Sequence, residues 1–160
     1  IKSVEMLSIE LARKIGLNGR SINNLRLAIY LSEIGKIRIP DSIITKRERL
    51  TLEELEIVKK HPIIACKMVE NLKGMKSIAR IVRAHHERFD GEGYPDNMLG
   101  KTIPIEARII NIVDSYVAMT SERSYKKSLS ENEALEELAK GKNKQFDGVI
   151  VEKFIDILKG

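Results

Sequence analysis

The chain has 160 residues, 42% hydrophobic and 32% charged, with 28 Lys and Arg, 23 Asp and Glu, a net charge of +5 and one cysteine. That length fits one domain burying roughly 70% of the surface its unfolded chain exposes, and a single cysteine excludes an internal disulfide. Basic and acidic residues are interspersed and aromatics make up only 4%, which argues against a nucleic-acid surface. No signal-peptide pattern occurs, and no apolar run approaches the roughly 18 residues of a membrane span. The expected setting is therefore cytoplasmic, with no membrane contact by this segment.

In chain order, Val4, Leu7, Leu11 and Ile15 recur at helical spacing and Gly16 makes a stop. Ser21 is the expected cap of a second helix carrying Ile22, Leu25, Ala28, Ile29 and Leu31, and Pro40-Asp41 breaks the pattern. Thr51 and Glu54 have capping-box spacing, which predicts a helix from about Leu52 to Lys60. His61 stands at a joint, because the residue before a proline avoids helical geometry. Pro62 then opens a helix to about Asn71, with Cys66 expected as a small buried side chain within it. A further helix is predicted over Lys76 to Glu87.

Residues Asp90 to Thr102 hold three glycines and a proline without a period, and read as a loop. Pro104 opens a long helix from Ile105 to about Thr120. Ser130 and Glu133 form a second capping box for a helix to about Lys140, and Asp147 caps a last one to Leu158. No alternating strand is convincing. The fold class is all-α, a compact multi-helix bundle with a glycine-rich loop.

The chemistry concentrates at the only three histidines, His61, His85 and His86. Three neutral imidazoles that meet in space are enough to hold a divalent transition metal. Adjacent helical side chains point about 100° apart, so His85 and His86 reach one ion only near a helix end. The alternative for each is an ordinary capping or buffering histidine. Asp114, within the apolar stretch Ile109 to Val117, and Glu33, between Leu31 and Ile37, are expected to be buried carboxylates needing a partner. For Asp114 that partner is a metal, Arg108 or Arg123.

Three stretches carry a resemblance to a known family: Ile34 to Pro40, His85 to Pro95, and Asp114 to Lys126, with Lys60-His61-Pro62 and Gln145-Phe146-Asp147 beside them. Essentially the whole chain resembles the HD-GYP domains, bacterial relatives of the HD metal-dependent phosphohydrolases. The resemblance implies a helical HD-domain-like bundle, a centre of two or three ions such as iron or manganese, and hydrolysis of cyclic di-GMP. By position it implies that His61, His85 and His86 ligate one metal and Asp114 another, with Glu33 in the place of a bridging aspartate. Lys36 occupies the place of a lysine that contacts substrate phosphate. Tyr94, Arg123 and Lys126 match positions that hold the dinucleotide.

The departures shape the expectation. The family's signature His-Asp pair is Ser32-Glu33 here. A hydroxyl is a poor ligand beside imidazole, and glutamate adds a methylene. A further family histidine aligns just before Ile1. The chain therefore reads as a single HD-GYP-like domain over residues 1–160, truncated at its N-terminal edge and belonging to a larger signalling protein. At most one divalent transition metal (iron, manganese, zinc or similar) is expected. The expected function is a degenerate signalling domain with little or no hydrolysis. It binds cyclic di-GMP or a related nucleotide, or docks a signalling protein through Gly93-Tyr94-Pro95. The competing expectation is an active metal-dependent cyclic di-GMP phosphodiesterase in which Glu33 replaces aspartate.

Overall fold

The structure is a computed structural model and describes residues 1–121 and 128–160. Helix α1 spans Lys2–Ile15, α2 Gly19–Leu31, α3 Asp41–Ile44, α4 Leu52–Val58 and α5 His61–Glu70. They are followed by α6 over Lys76–Ala84, α7 over Ile105–Thr120, α8 over Glu131–Lys140 and α9 over Gly148–Lys159. Short 3-10 turns occupy Ile34–Arg38 and Gly100–Thr102. Among the described residues there is no β-strand, only isolated bridges, as in Asp90 with Leu99.

Local sequence chemistry sets most boundaries. Gly16 ends α1 in the left-handed conformation at φ 89°, where glycine carries no side-chain penalty. Thr51 and Ser130 form reciprocal capping boxes with Glu54 and Glu133. Asp147 caps α9 by accepting from the backbone of Val149 and Ile150. Helix α5 begins at His61 and not at Pro62, and helix α2 also departs from the reading from sequence. Asn18, not Ser21, is its cap, and the Asn18 side chain accepts from the Ser21 backbone N–H at 2.9 Å. Asparagine caps as well as serine, and its earlier position brings three more residues, Gly19, Arg20 and Ser21, into the helix. Helices α4 and α6 also stop sooner than predicted, at Val58 and Ala84.

Helix α7 is the centre of the bundle and packs against α1, α2, α6, α8 and α9. Its Ile109, Ile112 and Val113 are fully buried, as are Leu11, Leu25, Leu138 and Phe154 around it. Tyr116 meets Phe154 edge to face at 5.3 Å, a favoured aromatic geometry. Cys66 is buried, as expected of a small apolar side chain. The 3-10 turn at Ile34–Arg38 lies against α5, and Gly35 makes that approach close. A Cβ at Gly35 would stand 2.0 Å from the His61 carbonyl oxygen and 2.8 Å from the Ala65 nitrogen. Only a residue without a side chain lets Glu33 and Lys36 come up beside His61.

Candidate metal centre

Two of the three histidines sit at helix ends: His61 begins α5 and His85 is the C-terminal cap of α6. Helix α6 stops in time to free His86 from the helical 100° offset, so the neighbouring rings tilt together with centroids 4.0 Å apart. His61 Nδ1 lies 2.8 Å from the Val58 carbonyl, and His85 Nδ1 lies 2.6 Å from the Val82 carbonyl. A carbonyl only accepts, so each Nδ1 carries the proton and each Nε2 keeps its lone pair. Those two Nε2 atoms stand 3.3 Å apart.

Glu33 completes the group. Its Oε1 lies 3.6 Å from His61 Nε2 and 4.0 Å from His85 Nε2. One donor atom each from Glu33, His61, His85 and His86 fall within 4.8 Å of one another. Burial, with smaller contributions from the neighbouring imidazoles, pushes His85 down to about 4 and His86 down to about 2. Burial also lowers His61. The rings are therefore neutral at ordinary pH, the state in which imidazole binds a metal. Three neutral nitrogens and a carboxylate, with outer nitrogens fixed by carbonyls, fit a divalent transition ion.

The carboxylates differ from expectation. Glu33 is 45% exposed along its side chain, and Asp114 is also exposed. Neither is the buried acid read from its apolar neighbours. Ile34 and Ile37 next to Glu33 are themselves exposed, and Asp114 lies on the one face of α7 that looks away from the core. That face carries Asn111, Asp114, Ser115 and Ala118 into a cavity of about 500 Å³ floored by the buried Ile110 and also lined by His85, His86 and Tyr94. A neighbouring cavity of about 340 Å³ holds Ser32, Glu33, Lys36, His85, His86 and Asp114. Arg108, one suggested partner of Asp114, instead binds Asp147 at 2.6 Å.

Ser32 is buried, and its hydroxyl donates back to the Ile29 carbonyl at 3.0 Å. Lys36 Nζ binds Glu33 Oε2. The Tyr94 ring stacks on His86 with centroids 5.0 Å apart, and burial, then Glu33 and Asp114, push its phenol up to about 12. Tyr94 therefore remains a neutral donor. Arg123 and Lys126 lie outside the described residues.

Glu87 and Arg83, given no site role in the sequence analysis, hold the loop that carries Tyr94, with Gly93 packed beside them. Glu87 is 2% exposed, and its two oxygens accept from the backbone of Asp96 at 2.7 Å and Met98 at 3.0 Å. Gly93 packs flat against this segment, since a Cβ there would stand 2.2 Å from the Arg88 nitrogen. Arg83 adds a two-pronged pair to Asp96 at 2.6 and 2.7 Å. Glu87 lies inside the His85 to Pro95 stretch, but only the folded loop shows which backbone groups it satisfies.

Comparison with known proteins identifies the family of the chain. The HD domain family model matches residues 2–150. Over 146 residues the chain is 35% identical to the cyclic di-GMP phosphodiesterase response regulator RpfG of Xanthomonas campestris pv. campestris, covering 90% of this chain and 39% of that protein. It is also 35% identical over 153 residues to the cyclic di-GMP phosphodiesterase PdeB of Borreliella burgdorferi, covering 96% of this chain and 40% of the relative. The chain thus spans about two fifths of the length of these relatives. The fold matches that of an HDGYP protein from Bdellovibrio bacteriovorus at a TM-score of 0.76 and 23% identity, covering 99% of this chain and 51% of that one. The chain belongs to the HD domain family, as an HD-GYP-type member.

Proposed function

We propose that this HD-GYP-type domain holds a single divalent transition ion and binds cyclic di-GMP with little or no hydrolysis. The observation that carries this reading is the composition of the centre. Among the described residues, one group of metal-ligating side chains gathers, Glu33 with His61, His85 and His86. Ser32, at the position of the family's histidine, gives its hydroxyl proton to the Ile29 carbonyl. It cannot offer a ligand comparable to imidazole.

Bound there, a divalent ion would acidify a coordinated water and polarise a phosphoryl oxygen. The chain's own residues supply the rest. His61 and His85 keep their Nε2 lone pairs inward, and Glu33 adds negative charge. Lys36 places an ammonium beside the same cavity to receive a phosphodiester. Tyr94 offers a phenol proton and a ring face at the neighbouring lobe. Names of the relatives support cyclic di-GMP as the nucleotide, and their greater length supports a role within a larger signalling protein. Docking of a protein through Gly93-Tyr94-Pro95 is less favoured, because Tyr94 is half-buried against His86 rather than presented outward.

One observation favours a second reading, an active phosphodiesterase. The extra methylene of Glu33 carries Oε1 toward two imidazoles at once, as a substitute for aspartate would require. Elemental analysis, calorimetric titration with cyclic di-GMP and a hydrolysis assay with added manganese or iron separate the two. About one ion per chain, saturable binding and no linear dinucleotide product support the first. Sustained turnover overturns it in favour of the second.

A further inference from the structure

The two cavities beside the centre share a wall made of His85, His86, Ile110 and Asp114. They are two lobes of one cleft, with the imidazole cluster at the ridge between them. Lys36 and Glu33 line the first lobe, Lys59 and Arg88 the second. The resemblance implies a phosphate contact for Lys36, whereas it assigns no cation of the second lobe among the described residues.

Arg88 is already committed. It binds Asp90 at 2.5 and 3.0 Å and lies 3.8 Å from Glu92. Lys59 differs. Its described carboxylate partner is Glu56 at 2.7 Å, one turn back on the surface and 67% exposed. A pair of that kind holds weakly against water and salt and exchanges readily for a dianionic or phosphodiester partner. Lys59 Nζ also lies 5.9 Å from the centre of the Tyr94 ring, at the outer limit of a cation–π contact. Its side chain therefore extends toward the lobe's aromatic wall. Position matters as much: Lys59 caps α4, one residue after Val58 and two before His61. The segment that orients a metal-ligating ring thus also sets this ammonium.

We infer that Lys59 is a second phosphate-binding residue, taking the distal phosphodiester of a cyclic dinucleotide whose other phosphodiester faces the imidazole cluster and Lys36. This rests on the nucleotide-binding reading above. The chemistry is that of a ring carrying two phosphodiesters across a cleft with a lysine in each lobe. A mononucleotide has one phosphate and engages one lobe. Lys59 would then discriminate cyclic dinucleotides from mononucleotides, exchanging its Glu56 partner for the phosphodiester. The lobe's neutral donors and acceptors, Asn111, Ser115 and Gln145, suit a purine edge.

Calorimetric titration of the purified chain with cyclic di-GMP and, separately, with GMP tests this. Lys59→Ala and Lys59→Met should weaken cyclic di-GMP binding about tenfold, the scale of one charge-assisted hydrogen bond, and leave GMP binding within twofold. Lys59→Met retains an apolar stem of similar length, so a loss there reports the charge rather than packing. Lys59→Arg should recover most of the affinity, and Glu56→Gln should raise it. Cyclic di-GMP binding that is unchanged in Lys59→Ala but lost in Lys36→Ala overturns this inference alone. Absence of cyclic di-GMP binding by the unaltered chain overturns the proposed function and this inference together.

Discussion

The Nε2 atoms of His61 and His85 face each other at 3.3 Å although the residues are 24 positions apart. Each ring is aimed by the same device, an Nδ1 proton donated to the carbonyl three residues earlier, Val58 for one and Val82 for the other. Two inward lone pairs at that separation are stabilised by a cation between them. His61→Ala or His85→Ala should each lower metal affinity by at least about tenfold, since loss even of outer partners costs 10–100-fold. Metal content after dialysis measures it, and full retention by either variant would remove that ring from the ligand set.

The depressed histidines also predict how the chelated protein responds to acid. His85 lies at about 4 when folded, below the ordinary 6.5, mainly through burial. Between those values the unfolded chain takes up a proton that the folded chain refuses. Stability is therefore complete above about pH 6.5 and declines as the pH falls toward 4. His61 and His86 shift in the same direction. Denaturant midpoints across this range should fall with acid, and less steeply in His85→Gln. Equal slopes in the two proteins would contradict the assignment.

Glu33 and Ser32 allow the centre to be altered in both directions. Glu33→Gln should reduce metal affinity at least about tenfold by removing the charged donor nearest His61 and His85. Joint replacement, Ser32→His with Glu33→Asp, should raise the number of ions bound per chain and the hydrolysis of cyclic di-GMP. Elemental analysis and product chromatography follow both. An unaltered chain already as active as the double variant would show that Glu33 substitutes fully.

Gly35→Ala should be among the most damaging small changes. Its Cβ would stand 2.0 Å from the His61 carbonyl oxygen, a backbone atom with no room to retreat. Overpacking costs about 1–3 kcal/mol and more where backbone must shift. Chemical denaturation should show that loss, together with reduced metal binding because the turn carrying Glu33 is forced away from α5. Wild-type stability would mean that the turn and the helix are not so closely joined.

Glu87→Gln keeps the shape of the buried side chain but removes one of the two acceptors used by Asp96 and Met98. Hydrogen bonds to a charged group contribute about 1.5–3 kcal/mol, so a stability loss of about that size is expected. Amide exchange in residues 94–98 should accelerate more than exchange in α7. Uniform acceleration would assign Glu87 a general structural role instead of a local one.

Ser8 offers a change in the other direction. Its side chain is fully buried in α1, and among the described residues its Oγ has no hydrogen-bond partner. Ser8→Ala removes that polar atom at little change in volume and should stabilise by about 1 kcal/mol. A lower thermal midpoint would show that the hydroxyl is satisfied after all.

What could be read in the sequence was whatever is encoded within a few residues. The capping boxes at Thr51 and Ser130, the stop at Gly16, the start of α7 at Ile105 and the cap at Asp147 all depend on neighbours one to four positions away. The three histidines and the glycine-rich loop were legible as chemistry, and the order of the motifs pointed to the family. Contacts distant in the chain were not legible in this way. The tertiary structure alone decided that His61 and His85 converge, that Glu33 and Asp114 face a cleft instead of the core, and that Gly35 must lack a side chain. The physical reason is that helix periodicity assigns a residue to one face of its own helix, while exposure depends on which other element covers that face. Ile37 and Asp114 sit among apolar neighbours in sequence, yet among the described residues both are exposed, and the candidate site lies beside that surface.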